Sequence, residues 1–77
     1  MIEGRLGYNH DNGRYGLLVS DLWVYEGFHC GDSLQIYHRG QWIETTFEMD
    51  WSCGRGIWYF TGTDIVGTEI EHIKARI

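Results

Sequence analysis

Apolar side chains recur at every second position over most of the chain, and the breaks in that rhythm are rich in glycine, asparagine and acids. Such alternation marks half-buried β-strands. Leu6 and Tyr8 precede the tetrad Asp11-Asn12-Gly13-Arg14, and Tyr15, Leu17 and Val19 follow it. Asn-Gly supplies the positive φ angles of a tight turn, so a first hairpin is predicted here. Ser20 to Ser33 shows no steady period and reads as a long ordered loop that must still pack Leu22, Trp23, Tyr25 and Phe28. Alternation then resumes, with Leu34, Ile36 and His38 on one side and Gln35, Tyr37 and Arg39 on the other. Arg39-Gly40 is the predicted turn, and Trp42 to Met49 the return strand, with Ile43, Thr45, Phe47 and Met49 sharing a face. Ser52 to Gly56 is a further turn. Ile57 to Thr61 is almost continuously apolar and reads as a strand that is central or buried on both faces. Asp64 to Gly67 suggests a turn or a single 3₁₀ turn. Ile70 to Ile77 alternates again, with Ile73, Ala75 and Ile77 inward and His72, Lys74 and Arg76 outward, and reads as an exposed edge strand. No stretch has a helical period. The expected fold is all-β, a small SH3-like barrel of five to six short antiparallel strands, with an oligonucleotide-binding barrel as the alternative.

Length confines this pattern to one domain over residues 1–77. A chain so short buries only about 60% of its unfolded surface. Aromatics supply the missing core volume: 16% of the residues are Phe, Trp or Tyr, including four Trp and five Tyr. Eleven acids against six bases give a formal charge of −5, which argues against general coating of nucleic acid. No run approaches the roughly 20 apolar residues of a membrane span. The expectation is a cytoplasmic protein whose two cysteines, Cys30 and Cys53, stay reduced.

The chemistry the residues could carry is limited. His29 beside Cys30 could lower the thiol pKa or offer two metal ligands. Neighbours on a strand point to opposite faces, however, so a structural pair is expected, with Cys30 a small buried hydrophobe and His29 partly buried. A zinc site would have to use Cys30, Cys53, His29 and one of His10, His38 or His72, whose spacing matches no standard ligand pattern; no metal or other cofactor is expected. Gly54-x-Gly56 and Gly31-Asp32 lead into no helix that could hold a phosphate, so they read as turns. Nor does a catalytic cleft suggest itself in so small a barrel, and the chain is not expected to be an enzyme. The aromatic excess is the stronger signal. Trp23, Tyr25 and Trp42, with Asp21 and Glu26 as steering charges, are the candidate binding residues for a protein partner with a basic or proline-rich surface. The alternative is stacking of single-stranded nucleic acid on Trp and Tyr, with Arg39, Arg55, Lys74 and Arg76 supplying positive charge.

Several motifs together resemble one family. They are Gly4, Leu6, Tyr8 and Asn9 at the start, then Arg14, Tyr15 and Leu17, then the run His29-Cys30-Gly31-Asp32 with Leu34. Gly40, Trp42, Glu48, Trp58-Tyr59, Gly67 and Arg76-Ile77 complete the set. On these residues the chain resembles the family catalogued as domain of unknown function 5348, short proteins of Firmicutes and their phages and conjugative elements. The resemblance implies a mobile-element setting and brings no activity with it. Thr46 departs from the family's pattern, which carries arginine two residues before the glutamate, so a pair between that arginine and Glu48 is not available here.

Overall fold

A computed structural model describes residues 1–77. Seven strands run in chain order: β1 (Glu3–Asn9), β2 (Arg14–Val19), β3 (Leu22–Tyr25), β4 (Ser33–His38), β5 (Gln41–Asp50), β6 (Ile57–Phe60) and β7 (Lys74–Arg76). One 3₁₀ turn, Gly67–Ile70, precedes β7. All strand pairs are antiparallel, and the order across the sheet is β3-β2-β1-β7-β4-β5-β6. The sheet bends around a core without closing, since nothing pairs β3 with β6, so the expected barrel is an open sheet. The segment after β3 crosses the gap instead: the Phe28 amide donates to the Tyr15 carbonyl at 2.8 Å and the Gly31 amide to the Phe47 carbonyl at 2.8 Å.

Turn chemistry explains each hairpin. Arg39 and Gly40, at φ 52° and 83°, form the two-residue turn between β4 and β5 that the alternation predicts. At the first hairpin only Gly13 takes positive φ (71°), because Asn9 pairs with Arg14 across a longer loop than a tight Asn-Gly turn would make. The expected loop from Ser20 to Ser33 is shorter than predicted. Ser20 and Asp21 adopt φ 52° and 64° and turn the chain straight back into β3. A two-residue turn of this type normally calls on glycine or asparagine, so Ser-Asp gave little warning of it.

The last two elements also differ from expectation. β7 is internal, paired with β1 and β4, and is not an edge. The stretch before it is irregular: Ile70 ends the 3₁₀ turn and is fully buried, and that turn lies a few residues later than the sequence suggests. β6 is terminal rather than central; Trp58 and Phe60 are buried while Ile57 and Tyr59 are only half-buried, and Val66 alone bridges its free side at Tyr59.

The inner face carries Leu6, Leu17, Leu34, Ile36, Phe47, Phe60 and Ala75, all buried. Phe47 lies at the centre, with ring centroids 4.7 Å from Phe28, 4.7 Å from Phe60 and 5.9 Å from Trp58. Offset and edge-on aromatic pairs of this kind add about 0.5–1.5 kcal/mol each beyond area burial.

Candidate binding surfaces

Along β2 and β3 the register decides which side chains share a face. Leu18 pairs with Trp23 and Leu17 with Tyr25, so the step from Trp23 to Tyr25 contains one extra residue, Val24, a β-bulge. Without it, Trp23 and Tyr25 would project to the same face. With it, Trp23 lies on the outer face and Tyr25 on the inner one, packed on Phe28 at 4.6 Å between ring centroids. The Tyr25 hydroxyl donates to Asp32 Oδ2 at 3.2 Å, and burial together with that carboxylate raises its pKa above the ordinary phenol value.

Trp23 has a bed prepared for it. Gly7 and Gly16 face each other across β1 and β2 on the outer surface, and the indole covers both. A Cβ on Gly16 would stand 2.8 Å from Trp23 Cζ3 and would collide with the Tyr25 carbonyl oxygen. The opposed glycines therefore admit β3 and its Trp, much as an aromatic fills the gap left by glycine in other sheets. β3 ends the sheet there. Leu22 is 70% exposed, Val24 46% and Trp23 37%, with Asp21 before the strand and Glu26 after it, both exposed. The Glu26 carbonyl accepts from Asn9 Nδ2 and Asn12 Nδ2, each at 3.1 Å, which ties the end of β3 to the first hairpin.

Trp42 is elsewhere. It is half-buried on the outer face of β5, paired in register with Tyr37 at 5.4 Å between ring centroids. Arg76 Cζ stacks 4.0 Å above its ring, and Lys74 Nζ lies 5.6 Å from the Tyr37 ring. The Arg76 Nε donates to Gln35 Oε1 at 2.6 Å. Of the five residues singled out from sequence, Asp21, Trp23 and Glu26 thus follow the β3 edge, Tyr25 is turned inward, and Trp42 lies across the sheet with β2, β1, β7 and β4 between. Leu22, Val24, Leu18 and Arg5 join these surfaces, and Gly7 and Gly16 make room for them; only the strand register reveals it. Of the proposed cations, Lys74 and Arg76 share the outer face, Arg39 pairs with Asp64 at 3.5 Å on the surface, and Arg55 lies in the β5–β6 loop.

His29 and Cys30 are both exposed, which corrects the expectation of a buried thiol. Their segment is a turn closed by Asp32, whose Oδ2 accepts the His29 amide at 2.8 Å while the Asp32 amide donates to the His29 carbonyl at 3.0 Å. Gly31, at φ 89°, lets the turn approach β5, where the Phe47 amide donates to the Asp32 carbonyl at 3.0 Å. The His-Cys-Gly-Asp run fastens the crossing segment to β5. No three His, Cys, Asp or Glu side chains converge in the geometry of a metal site. Thr46 is likewise engaged locally. Its Oγ1 lies 2.9 Å from Thr61 Oγ1, which in turn accepts the Thr46 amide at 3.2 Å. A groove of about 550 Å³, lined by Tyr8, Tyr15, Met49, Arg55 and Trp58, opens at one end of the core.

The chain is a small all-β domain built on one bent, seven-stranded antiparallel sheet. Residues 4–77 match the family described as domain of unknown function (DUF5348), and the chain belongs to that family. No curated protein and no solved structure matches it. No helix is long and apolar enough to cross a membrane.

Proposed function

We propose that the domain is a non-catalytic interaction module that captures an extended segment of a partner protein along the open edge of β3. The observation that carries this reading is the edge itself: Leu22, Trp23, Val24 and Tyr25 in succession, uncharged, at the end of the sheet, with Leu22 and Val24 facing solvent. Apart from the bulge at Val24, β3 has none of the proline, lysine or covering elements by which edges are usually protected. Its outward backbone groups can hydrogen-bond an added strand, and the exposed apolar side chains can pack on one.

The flanking acids favour a particular partner. A second copy pairing antiparallel about the centre of β3 would set Asp21 against Glu26 twice, a repulsive arrangement. A partner strand with an apolar middle and Lys or Arg at its ends meets the same acids favourably. We further place the domain in the cytoplasm of a bacterium carrying a phage or conjugative element, and read the open sheet as an SH3-like barrel parted between β3 and β6.

Selection from a displayed library of random peptides tests this. The expected winners are short β-prone segments flanked by basic residues, whose binding is lost in Val24→Lys, a substitution at an exposed edge position. Binding that survives Val24→Lys in a folded protein, or winners without a basic flank, would place the partner site elsewhere.

A further inference from the structure

The registers line up one row of side chains across the outer face of the sheet. Trp23 of β3 opposes Leu18 of β2, Leu18 opposes Arg5 of β1, and Arg5 opposes Lys74 of β7. Lys74 reaches the ring of Tyr37 on β4, and Tyr37 opposes Trp42 of β5. Arg76, on the same face, is stacked on Trp42. Six strands at roughly 4.8 Å spacing make the row about 24 Å long. Three of the six basic residues of a chain with formal charge −5 gather here.

We propose that this outer face is a second binding surface, meeting the β3 edge at Trp23 but held by charged and aromatic groups of β1, β7, β4 and β5, for single-stranded nucleic acid. An interior sheet face has no free backbone groups to offer, because its amides and carbonyls are committed to neighbouring strands. A ligand lying across it must be held by flat contacts and by charge. Bases stack on aromatic rings in a sequence-tolerant way, and phosphates take Arg and Lys. A run of acidic side chains can use the cations but, unlike a nucleotide strand, does not carry a flat ring beside every charge to stack on Tyr37, which is 44% exposed. Arg76 is preorganised: Trp42 supports the guanidinium plane and Gln35 holds Nε, so the outer nitrogens can meet a phosphate in a fixed orientation. Arg5 is held by the His72 carbonyl at 3.1 Å and by no carboxylate. Lys74 is paired with Glu3 at 3.4 Å, which a phosphate would have to displace.

Fluorescence anisotropy of labelled single-stranded DNA and RNA of about twelve nucleotides, titrated with the full chain, decides the matter. With three phosphate contacts, affinity should fall about 20-fold between about 50 and about 200 mM salt. Arg5→Gln should lower the logarithmic salt slope by about 0.7, a change that partial unfolding would not imitate. Tyr37→Leu should weaken binding at least about fivefold with the circular dichroism spectrum unchanged. Val24→Lys should leave it intact, so failure here and failure of the β3 reading are separable. The proposal is overturned by the absence of saturable binding below about 100 μM at the lower salt, by indifference to both outer-face variants, or by equal binding of poly-glutamate.

Discussion

Tyr15 packs its ring between Tyr8 and Phe47 while its hydroxyl leaves the core to donate to the Gly67 carbonyl at 3.1 Å. Burial, and after it the nearby Glu71 carboxylate, raise its pKa above the ordinary phenol value of 10.0. The folded state therefore holds this proton more tightly than the unfolded chain does. The resulting stabilisation is complete below pH 10 and is lost as pH climbs from there through the raised folded value. Tyr25 adds a component of the same sign. Urea denaturation followed across this range should show Tyr15→Phe starting about 1 kcal/mol less stable at neutral pH, for the lost hydrogen bond. The variant should then lose less than the parent above pH 10, keeping only the Tyr25 component. A pH profile parallel to the parent's would show that Tyr15 ionises without cost to the fold. The His29-Cys30-Gly31-Asp32 run teaches a related lesson. Its part in the fold is played by the Gly31 backbone and the Asp32 carboxylate, while the Cys30 thiol is exposed and the His29 imidazole, also exposed, lies 3.8 Å from that carboxylate.

Among the elements, β3 depends on its neighbours' lack of side chains. Gly16→Ala pushes a methyl group against Trp23 and the Tyr25 carbonyl, so β3 must lift from β2. The expected cost is about 1–3 kcal/mol, the range for overpacking. Hydrogen exchange should localise the loss, with faster exchange along Leu22–Tyr25 and its β2 partners while β4 and β5 stay protected. Uniform loss across all strands would mean that β3 is no separate unit. This element is also where the sequence was hardest to read. The β4–β5 hairpin was legible because its alternation is regular and its turn holds a glycine. β3 was not, because Ser20-Asp21 conceals a tight turn and the bulge at Val24 breaks the two-residue period. The same bulge separated Trp23 from Tyr25, so a site drawn by counting residues joined two faces.

For the molecule as a whole, stability rests on few core groups. A domain of this size has roughly 4–12 kcal/mol in hand at 0.05–0.15 kcal/mol per residue. Phe47 is fully buried, stacked on Tyr15 and Phe28 and edge-on to Trp58 and Phe60. Phe47→Ala should cost about 3–5 kcal/mol. Calorimetry should then find the melting transition lowered by tens of degrees or missing at 37 °C; a fall of only a few degrees would mean the core refills the space. The outward direction of alternate side chains in the last strand was readable, but not its place in the sheet, since alternation reports a face and not a neighbour. β7 lies between β1 and β4, and the Ile2 and Ile77 backbones exchange hydrogen bonds of 2.7 and 2.9 Å beside it. On the ribosome, β1 to β3 and β4 to β6 emerge as two meanders whose facing borders stay unsatisfied until residues 74–76 are free of the exit tunnel. From Phe60 to Arg76, at about 5–20 residues per second, this is an interval of about 1–3 s. During synthesis the nascent chain is thus a pair of half-sheets open to wrong partners, and its commitment to fold comes late.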